Sequence, residues 1–385
     1  MRLAFTLFKY FPFGGLQRDC LEIAQTCRRQ GHDVTLFTRE WTGPLPNDLH
    51  VHLVPTHGLT NHGRNTSFVK YVLPALKREA FDAVIGFNKM PGLDLYFAGD
   101  SCYAERSRRR HGSRWNPYYW ATPRYRRYSA LERAVFDPQS ATEILLLTAS
   151  QQHSYTAHYG TPANRFHLLP PGICQDRKPA HDSSGIRSEI RNTFLRESEE
   201  ILLLAVGADA QLKGLDRTIY AVAALPTTMR CKTRLIAIGE RRTQQFERLA
   251  TRLSLSDRVT LLPPRSDIQG FFYGADLLVH PARSEAGGTV LLESMAYGLP
   301  VLATDVCGYA DCVQAARGGF ILPSPFEQEH MNRSLHRLLT TPQLPTLADN
   351  AREFTRSASL YDRSQHIVTI IETRADCNRR RVSST

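Results

Sequence analysis

Short apolar runs alternate with amphipathic helical runs along almost the whole of this chain, and the alternation happens twice. Leu3–Phe8, Asp33–Thr38, His50–Pro55, Ala83–Asn88, Glu143–Ser150 and Arg165–Leu169 read as strands. After Pro170-Pro171-Gly172, a hinge-like break, a second series follows: Ile201–Gly207, Arg234–Gly239, Val259–Pro264, Asp276–Ala282 and Val301–Asp305. Strands separated by helix-length spacers pair in parallel through crossovers, with helices on both faces. The fold class predicted is therefore α/β, with two Rossmann-like domains facing each other across a cleft. A length of 385 residues accommodates two such domains. The expected divisions are 1–169, 170–358, a helix over 359–374 packing back toward the first domain, and a disordered tail at 375–385.

The chemistry concentrates where strands run into glycines. Glu285–Pro300 reads EAGGTVLLESMAYGLP, with Glu285 and Glu293 eight residues apart and Gly287-Gly288 opening a helix over Thr289–Tyr297. Strand, glycine turn and helix together aim free backbone N–H groups at an anion. Carboxylates on either side are good acceptors for sugar diols, so the pattern suggests a phosphorylated sugar held end to end. The first strand has a similar sequel, Gly14-Gly15 before a helix that carries Asp19 in its first turn. Asp19 is either a dipole-favoured acid or an acceptor-side group. Asn88, Lys89 and Asp100 stand at strand ends, where open α/β sheets line their crevices. Thr60–Thr66, which contains His62 and Arg64, reads as a polar loop.

Charge narrows the company the chain keeps. A net charge of +11 and a pI near 9.4 call for nucleic acid, anionic lipid or a phosphorylated substrate. Tyr103–Phe136 interleaves arginines with Trp and Tyr. Arg108, Arg109, Arg110, Trp115, Tyr119, Trp120, Arg126 and Arg127 suit an anionic membrane surface, at about 1 kcal/mol per basic residue. Single-stranded nucleic acid takes similar side chains, but charge alone supports it, and no nucleic-acid partner is expected. The eight cysteines show no CxxC and no metal-ligand spacing, which fits a reducing compartment. No apolar run approaches the roughly 20 residues that span a bilayer. The expected location is cytoplasmic, peripheral on the cytoplasmic face of the inner membrane.

Several of these stretches resemble a known family. Glu285 and Glu293 have the E-x7-E spacing of the large retaining glycosyltransferase family that includes sucrose and glycogen synthases. Gly207–Lys213-Gly214 resembles its pyrophosphate loop, and Pro170–Ile173 its hinge. KYFPFGGLQRD at Lys9–Asp19, NHGRN at Asn61–Asn65, GFNKMPGLD at Gly86–Asp94 and CGYA at Cys307–Ala310 resemble the bacterial lipopolysaccharide core heptose glucosyltransferases. The resemblance implies the GT-B fold, with a UDP-sugar on the C-terminal lobe and the acceptor on the N-terminal lobe. It implies that Glu293 binds the ribose, Glu285 the donor sugar, and the N–H groups of Ala286, Gly287, Gly288 and Thr289 the sugar and phosphate. Lys213 would neutralise the departing diphosphate, Gly14 and Gly15 would let the first loop approach it, Arg265 would lie near uracil, and Arg177 near the phosphate. Arg64, Asn88, Lys89, Asp100 and Asp19 would face the acceptor.

The chain departs from the family at Ala208 and Leu212, where arginines usually pair with the lysine. Arg177 or Arg283 would then supply the second charge. The resemblance also implies retention of configuration by front-face attack, with no metal and no cofactor beyond UDP-glucose or another UDP-hexose. The acceptor would be an inner-core heptose of lipopolysaccharide. The alternatives are a membrane-docked transferase for another acidic glycolipid, and a catalytically inactive assembly scaffold.

Overall fold

The computed structural model describes residues 1–111, 117–180 and 184–383, which fall into two compact units. The first is Met1–Pro171 with Asp362–Thr385, and the second is Gly172–Tyr361. The first unit holds β1 (Arg2–Leu7), β2 (Asp33–Thr38), β3 (His50–Leu53), β4 (Ala83–Gly86), β5 (Leu95–Phe97), β6 (Glu143–Leu146) and β7 (Phe166–Leu168). They form one sheet in the order β3-β2-β1-β4-β5-β6-β7, and every pairing is parallel. β1 pairs with β2 from Arg2↔Asp33 to Leu7↔Thr38, and on its other side with β4 from Leu3↔Ala83 to Thr6↔Gly86. Its residues after Arg2 are buried on both faces, which is why it reads as a continuous apolar run rather than an alternating one.

The second unit holds β8 (Ile201–Val206), β9 (Thr233–Ile238), β10 (Val259–Leu262), β11 (Leu277–His280), β12 (Val301–Thr304) and β13 (Gly319–Leu322). Their order is β10-β9-β8-β11-β12-β13, again all parallel. Each sheet has its own core. Phe37, Phe68, Met90, Tyr96, Phe136 and Tyr155 pack in the first, and Leu203, Ile219, Leu235, Phe246, Leu302 and Leu335 in the second.

Four elements differ from the sequence reading. β5 and β13 were not expected: they are three and four residues long, and each is defined by a neighbouring strand more than by its own pattern. The polar stretch Thr60–Thr66 is the start of a helix, Asn61–Glu79, whose Thr60 hydroxyl accepts from the Gly63 N–H at 3.2 Å. That side-chain bond satisfies one of the free N–H groups of the first turn. The apolar face, Phe68, Val69, Val72, Ala75 and Leu76, begins only afterwards.

The expected disordered tail is helical instead. Arg363–Ser383 is one helix, with Ile367, Val368, Ile371 and Ala375 buried against the first unit. Its polar face is tied along its length. His32 Nε2 lies 2.8 Å from Glu372, Asn378 donates to Asp82 O and Asp94 at 2.9 Å each, and Arg379 pairs with Asp82 at 2.7 Å. Arg379, the first of the basic run that suggested disorder, thus finds its acid just ahead of β4, and Arg374 likewise reaches Glu143 at 2.9 Å.

Candidate active site

In the second unit the strand order reverses beside β8. β9 lies on one side of it and β11 on the other, so the loops that follow β8 and β11 part and leave a crevice at their C-terminal ends. The β8 loop carries Gly207 to Gly214, and the β11 loop Pro281 to Gly288. The two loops meet through one carboxylate. Lys213 Nζ hydrogen-bonds Glu285 Oε2, and His280 Nε2 lies 3.3 Å from the same oxygen. The Lys213 side chain is 22% exposed, that of Glu285 16% and that of His280 1%.

Burial raises the proton affinity of Glu285, but the Lys213 ammonium and the His280 imidazole overcome it and hold its pKa at about 2. Burial also pushes His280 below its ordinary range, against the pull of Glu285. His280 is therefore neutral at pH 7. Because ionised Glu285 only accepts, the imidazole proton must sit on Nε2. Sequence reasoning passed over His280, the last residue of a buried strand, because nothing in DLLVHPA separates it from a core histidine.

Backbone conformation fixes the loops around this trio. Gly214 has φ +77°, and a Cβ there would meet Pro281 O at 2.1 Å, so only glycine lets the two loops touch. Gly288, φ +83°, starts the helix Thr289–Ala296 without a side-chain cap. The Leu291 N–H turns back to Gly288 O at 2.9 Å, which leaves the N–H groups of Thr289 and Val290 to a ligand or to water. Gly287 O accepts from Tyr309 N at 2.7 Å, which ties the turn to the CGYA stretch.

Arg283, one candidate for the missing second charge, is committed elsewhere. Its guanidinium grips Asp216 at 2.8 and 2.6 Å and Gln211 O at 2.6 Å, while its N–H reaches Leu212 O at 2.8 Å. It clamps the Lys213 loop. Arg177, the other candidate, lies in the short 3₁₀ turn Gln175–Arg177, its Nε 3.9 Å from Glu293 Oε1. Both side chains are buried, so Arg177 accompanies Glu293 rather than Lys213. Glu293 sits in the second turn of the helix, about 6 Å from Thr289 at 1.5 Å per residue. Arg265 forms a two-pronged pair with Asp267 at 2.8 and 2.6 Å and covers the Phe271 ring at 5.2 Å.

The first unit has polar loops at its own strand ends. Gly14 caps the helix Gly15–Arg29, and Gly15 has open space where a Cβ would stand. Asn88 Oδ1 accepts from Phe8 N at 2.7 Å, joining the ends of β1 and β4. Arg64 donates from Nε to Gly58 O at 3.0 Å, and Lys9 and Glu40 pair at 2.5 Å at the ends of β1 and β2. The Asp100 side chain is exposed, and its carbonyl accepts from Tyr155 at 3.0 Å.

Two expected acceptor contacts have other partners. Lys89 is buried, donating to Glu132 at 2.7 Å and Ser101 O at 3.0 Å. Glu132, fully buried and missed by sequence reasoning, also accepts from Tyr103 N at 2.7 Å, Ala104 N at 2.9 Å and Tyr159 OH at 2.5 Å. It caps the first of the basic helices and holds Lys89 to it. Burial lowers the proton affinity of Lys89, but Glu132 more than reverses this and raises its pKa above the usual range. Asp19 is 8% exposed and pairs with Arg363 Nη2, anchoring the C-terminal helix.

The basic and aromatic segment forms helices Tyr103–His111, Pro117–Ala121 and Pro123–Phe136. Arg108, Arg126, Arg127 and Tyr118 are exposed. Tyr119 turns inward, its hydroxyl 3.3 Å from both Tyr103 OH and Ser107 Oγ, and Trp120 packs edge-on to Tyr125 at 4.6 Å. Trp115 and the side chains of Arg109 and Arg110 lie outside the described residues. Among the described residues no helix is long and apolar enough to cross a membrane.

Comparison with known proteins agrees with this geometry. Residues 186–357 match the family described as glycosyl transferases group 1, and residues 13–177 match Glycosyltransferase Family 4. The lipopolysaccharide glucosyltransferase WaaG of Escherichia coli K12 is 42% identical over 372 residues, 96% of this chain and 98% of that protein. A crystal structure of WaaG, a glycosyltransferase involved in lipopolysaccharide biosynthesis, superposes with a TM-score of 0.91, covering 96% of this chain and 99% of that one. A more distant structure shares the fold alone. HepE of Anabaena, in complex with UDP and glucose, has a TM-score of 0.74 at 18% identity, covering 97% of this chain and 100% of that one. The chain therefore belongs to the glycosyltransferase family that holds WaaG, an α/β fold of the GT-B kind.

Proposed function

We propose that this chain transfers a hexose, glucose first among the candidates, from its UDP ester to a heptose of the lipopolysaccharide inner core, with retention of configuration. One observation carries the reading: Lys213, Glu285 and His280 converge where the second sheet parts, beside an uncapped helix N-terminus. A cation for diphosphate, a carboxylate for sugar hydroxyls and free N–H groups are the parts a nucleotide-sugar needs. The name of the 42% identical relative, a lipopolysaccharide glucosyltransferase, supports the acceptor and the sugar. The UDP-bound HepE structure supports the nucleotide.

Each group then has a role. Glu293 accepts from the ribose hydroxyls and Glu285 from the donor sugar. The N–H groups of Ala286–Thr289 hold sugar and phosphate at the positive end of the helix. Lys213 exchanges its bond to Glu285 for one to the departing diphosphate, where negative charge builds, and such a contact is usually the largest electrostatic contribution. His280 keeps its hydrogen bond to Glu285 through that exchange, so the carboxylate stays ionised and aimed. The acceptor hydroxyl loses its proton to the leaving phosphate on the same face while an oxocarbenium-like state forms. Two-carboxylate hydrolase logic does not apply, because Glu285 is engaged by the Lys213 ammonium and the neutral His280 imidazole rather than placed as a nucleophile.

The exposed arginines of the helices Tyr103–His111 and Pro123–Phe136 are read as a reversible dock on an anionic leaflet, placing the enzyme at the cytoplasmic face where such an acceptor is built. The deciding experiment is mass analysis of core-truncated lipopolysaccharide after incubation with the purified chain and each of several UDP-hexoses. Addition of one hexose supports the reading. UDP-hexose binding without any transfer leaves the scaffold alternative standing in its place.

A further inference from the structure

The second unit carries a second groove, of about 900 Å³, at the opposite edge of its sheet from Lys213 and Glu285. Asp276 and Pro300, which line it, directly precede β11 and β12, whereas the donor crevice lies beyond the far end of β11. The helix Thr289–Ala296 connects the two places. Its first turn faces the donor crevice, and the residues that end it, Tyr297 and Gly298, wall the groove.

We propose that this groove binds a phosphorylated sugar. Its floor is aromatic: Tyr297 stacks on Phe272 at 5.2 Å and meets Tyr273 edge-on at 4.7 Å, with Tyr361 alongside. Sugar rings lie well on such faces. Its rim is cationic. Lys178 stands 5.7 Å above the Tyr361 ring, and Arg352 and Arg356, one helical turn apart, are exposed. Gly298, φ +69°, is what lets Arg352 lie against the helix end, since a Cβ there would meet Arg352 Nε at 2.2 Å.

The charges do not cancel within the groove. Asp276 is the lining acid, and it is already held by Arg187 at 2.7 Å and Arg191 at 2.9 Å. Arg352 shares Asp349 at 2.6 Å, which leaves Lys178 and Arg356 to attract an anion. Cationic side chains beside an aromatic wall fit phosphate and sugar in one molecule.

Two sources offer that chemistry, a soluble sugar phosphate and the phosphorylated saccharide of the acceptor itself. The test is titration calorimetry of the full chain with glucose 6-phosphate, with phosphorylated core oligosaccharide freed of lipid, with its dephosphorylated form, with glucose and with inorganic phosphate. At least one phosphorylated sugar binds, and its unphosphorylated counterpart binds at least ~10-fold more weakly, the worth of about one charge-assisted hydrogen bond. The affinity survives saturation with UDP. It falls at least ~10-fold in Lys178→Glu/Arg356→Glu, while UDP affinity in that variant stays at the wild-type value. Binding of the oligosaccharide alone assigns the groove to the acceptor, and binding of glucose 6-phosphate alone assigns it to a soluble effector. The proposal is overturned if neither phosphorylated sugar binds, if UDP abolishes the binding, if the double charge reversal leaves it unchanged, or if inorganic phosphate binds as tightly as the sugars.

Discussion

Lys213→Met removes the ammonium while keeping a side chain of similar reach, and the structure fixes two consequences. The first is kinetic. If Lys213 meets charge that appears only as the diphosphate departs, its loss costs kcat ~10²–10³-fold, about 2.7–4 kcal/mol. The second concerns acid stability. Glu285 is held at about 2 chiefly because Lys213 outweighs burial. A carboxyl whose folded pKa lies below its unfolded value stabilises the fold above the unfolded value, and that stability drains away as pH falls through the folded one. Between 4.5 and about 2 the contribution comes to about 3 kcal/mol, counted as an upper bound because Lys213 and Glu285 are 22% and 16% exposed. In Lys213→Met, burial is opposed by His280 alone, so the folded pKa rises and the acid-side loss shrinks. Initial rates with UDP-glucose and truncated lipopolysaccharide read the first effect. Urea unfolding at pH 7, 4 and 3 reads the second. A kcat within a few-fold of wild type, or an acid slope that does not change, refutes the reasoning.

Glu132→Gln leaves Lys89 buried without a counter-charge and should destabilise the first unit by ~3–5 kcal/mol in urea unfolding while sparing UDP affinity; a loss below ~1 kcal/mol would make the pair incidental. His280 has a folded pKa below 6.5, so its contribution is complete above pH 6.5 and is lost as pH falls below it. The wild type should therefore lose more stability between pH 6.5 and 5 than His280→Gln, and equal losses would contradict the buried neutral imidazole. Gly288→Ala places a Cβ 3.2 Å from Glu285 Cγ at a φ of +83°, which should cost ~1–2 kcal/mol of stability and raise KM for the donor more than for the acceptor. Arg126→Glu/Arg127→Glu should loosen binding to anionic vesicles without changing UDP affinity, since both side chains are exposed and belong to the first unit. Unchanged vesicle binding would remove the membrane role from these helices.

Which residues proved readable from sequence follows from how local their causes are. Buried parallel strands are written as continuous apolar runs, and glycines before a helix mark the turn, so β8, β11 and the Gly288 helix were legible. Glu285 and Lys213 stand out in the sequence because spacing to a glycine turn is a property of a few neighbouring residues, and the structure brings the two together. Arg283, Lys89 and Asp19 carry partners that the sequence did not disclose, for the opposite reason. Their partners, Asp216, Glu132 and Arg363, stand 67, 43 and 344 residues away, and no local pattern tells a committed charge from a free one. His280 and Glu132 were invisible because their burial, not their type, gives them their work. The tail at Arg379-Arg380-Arg381 looked disordered until Asp82 supplied the counter-charge.

The most direct test of the account is a crystal structure of the chain soaked with UDP-glucose. It should show the diphosphate within hydrogen-bond reach of Lys213 Nζ and the N–H groups at Gly287–Thr289, with the ribose on Glu293 and the hexose on Glu285. A nucleotide seated in any other part of the second unit, or one that leaves the Lys213–Glu285 pair untouched, would contradict it.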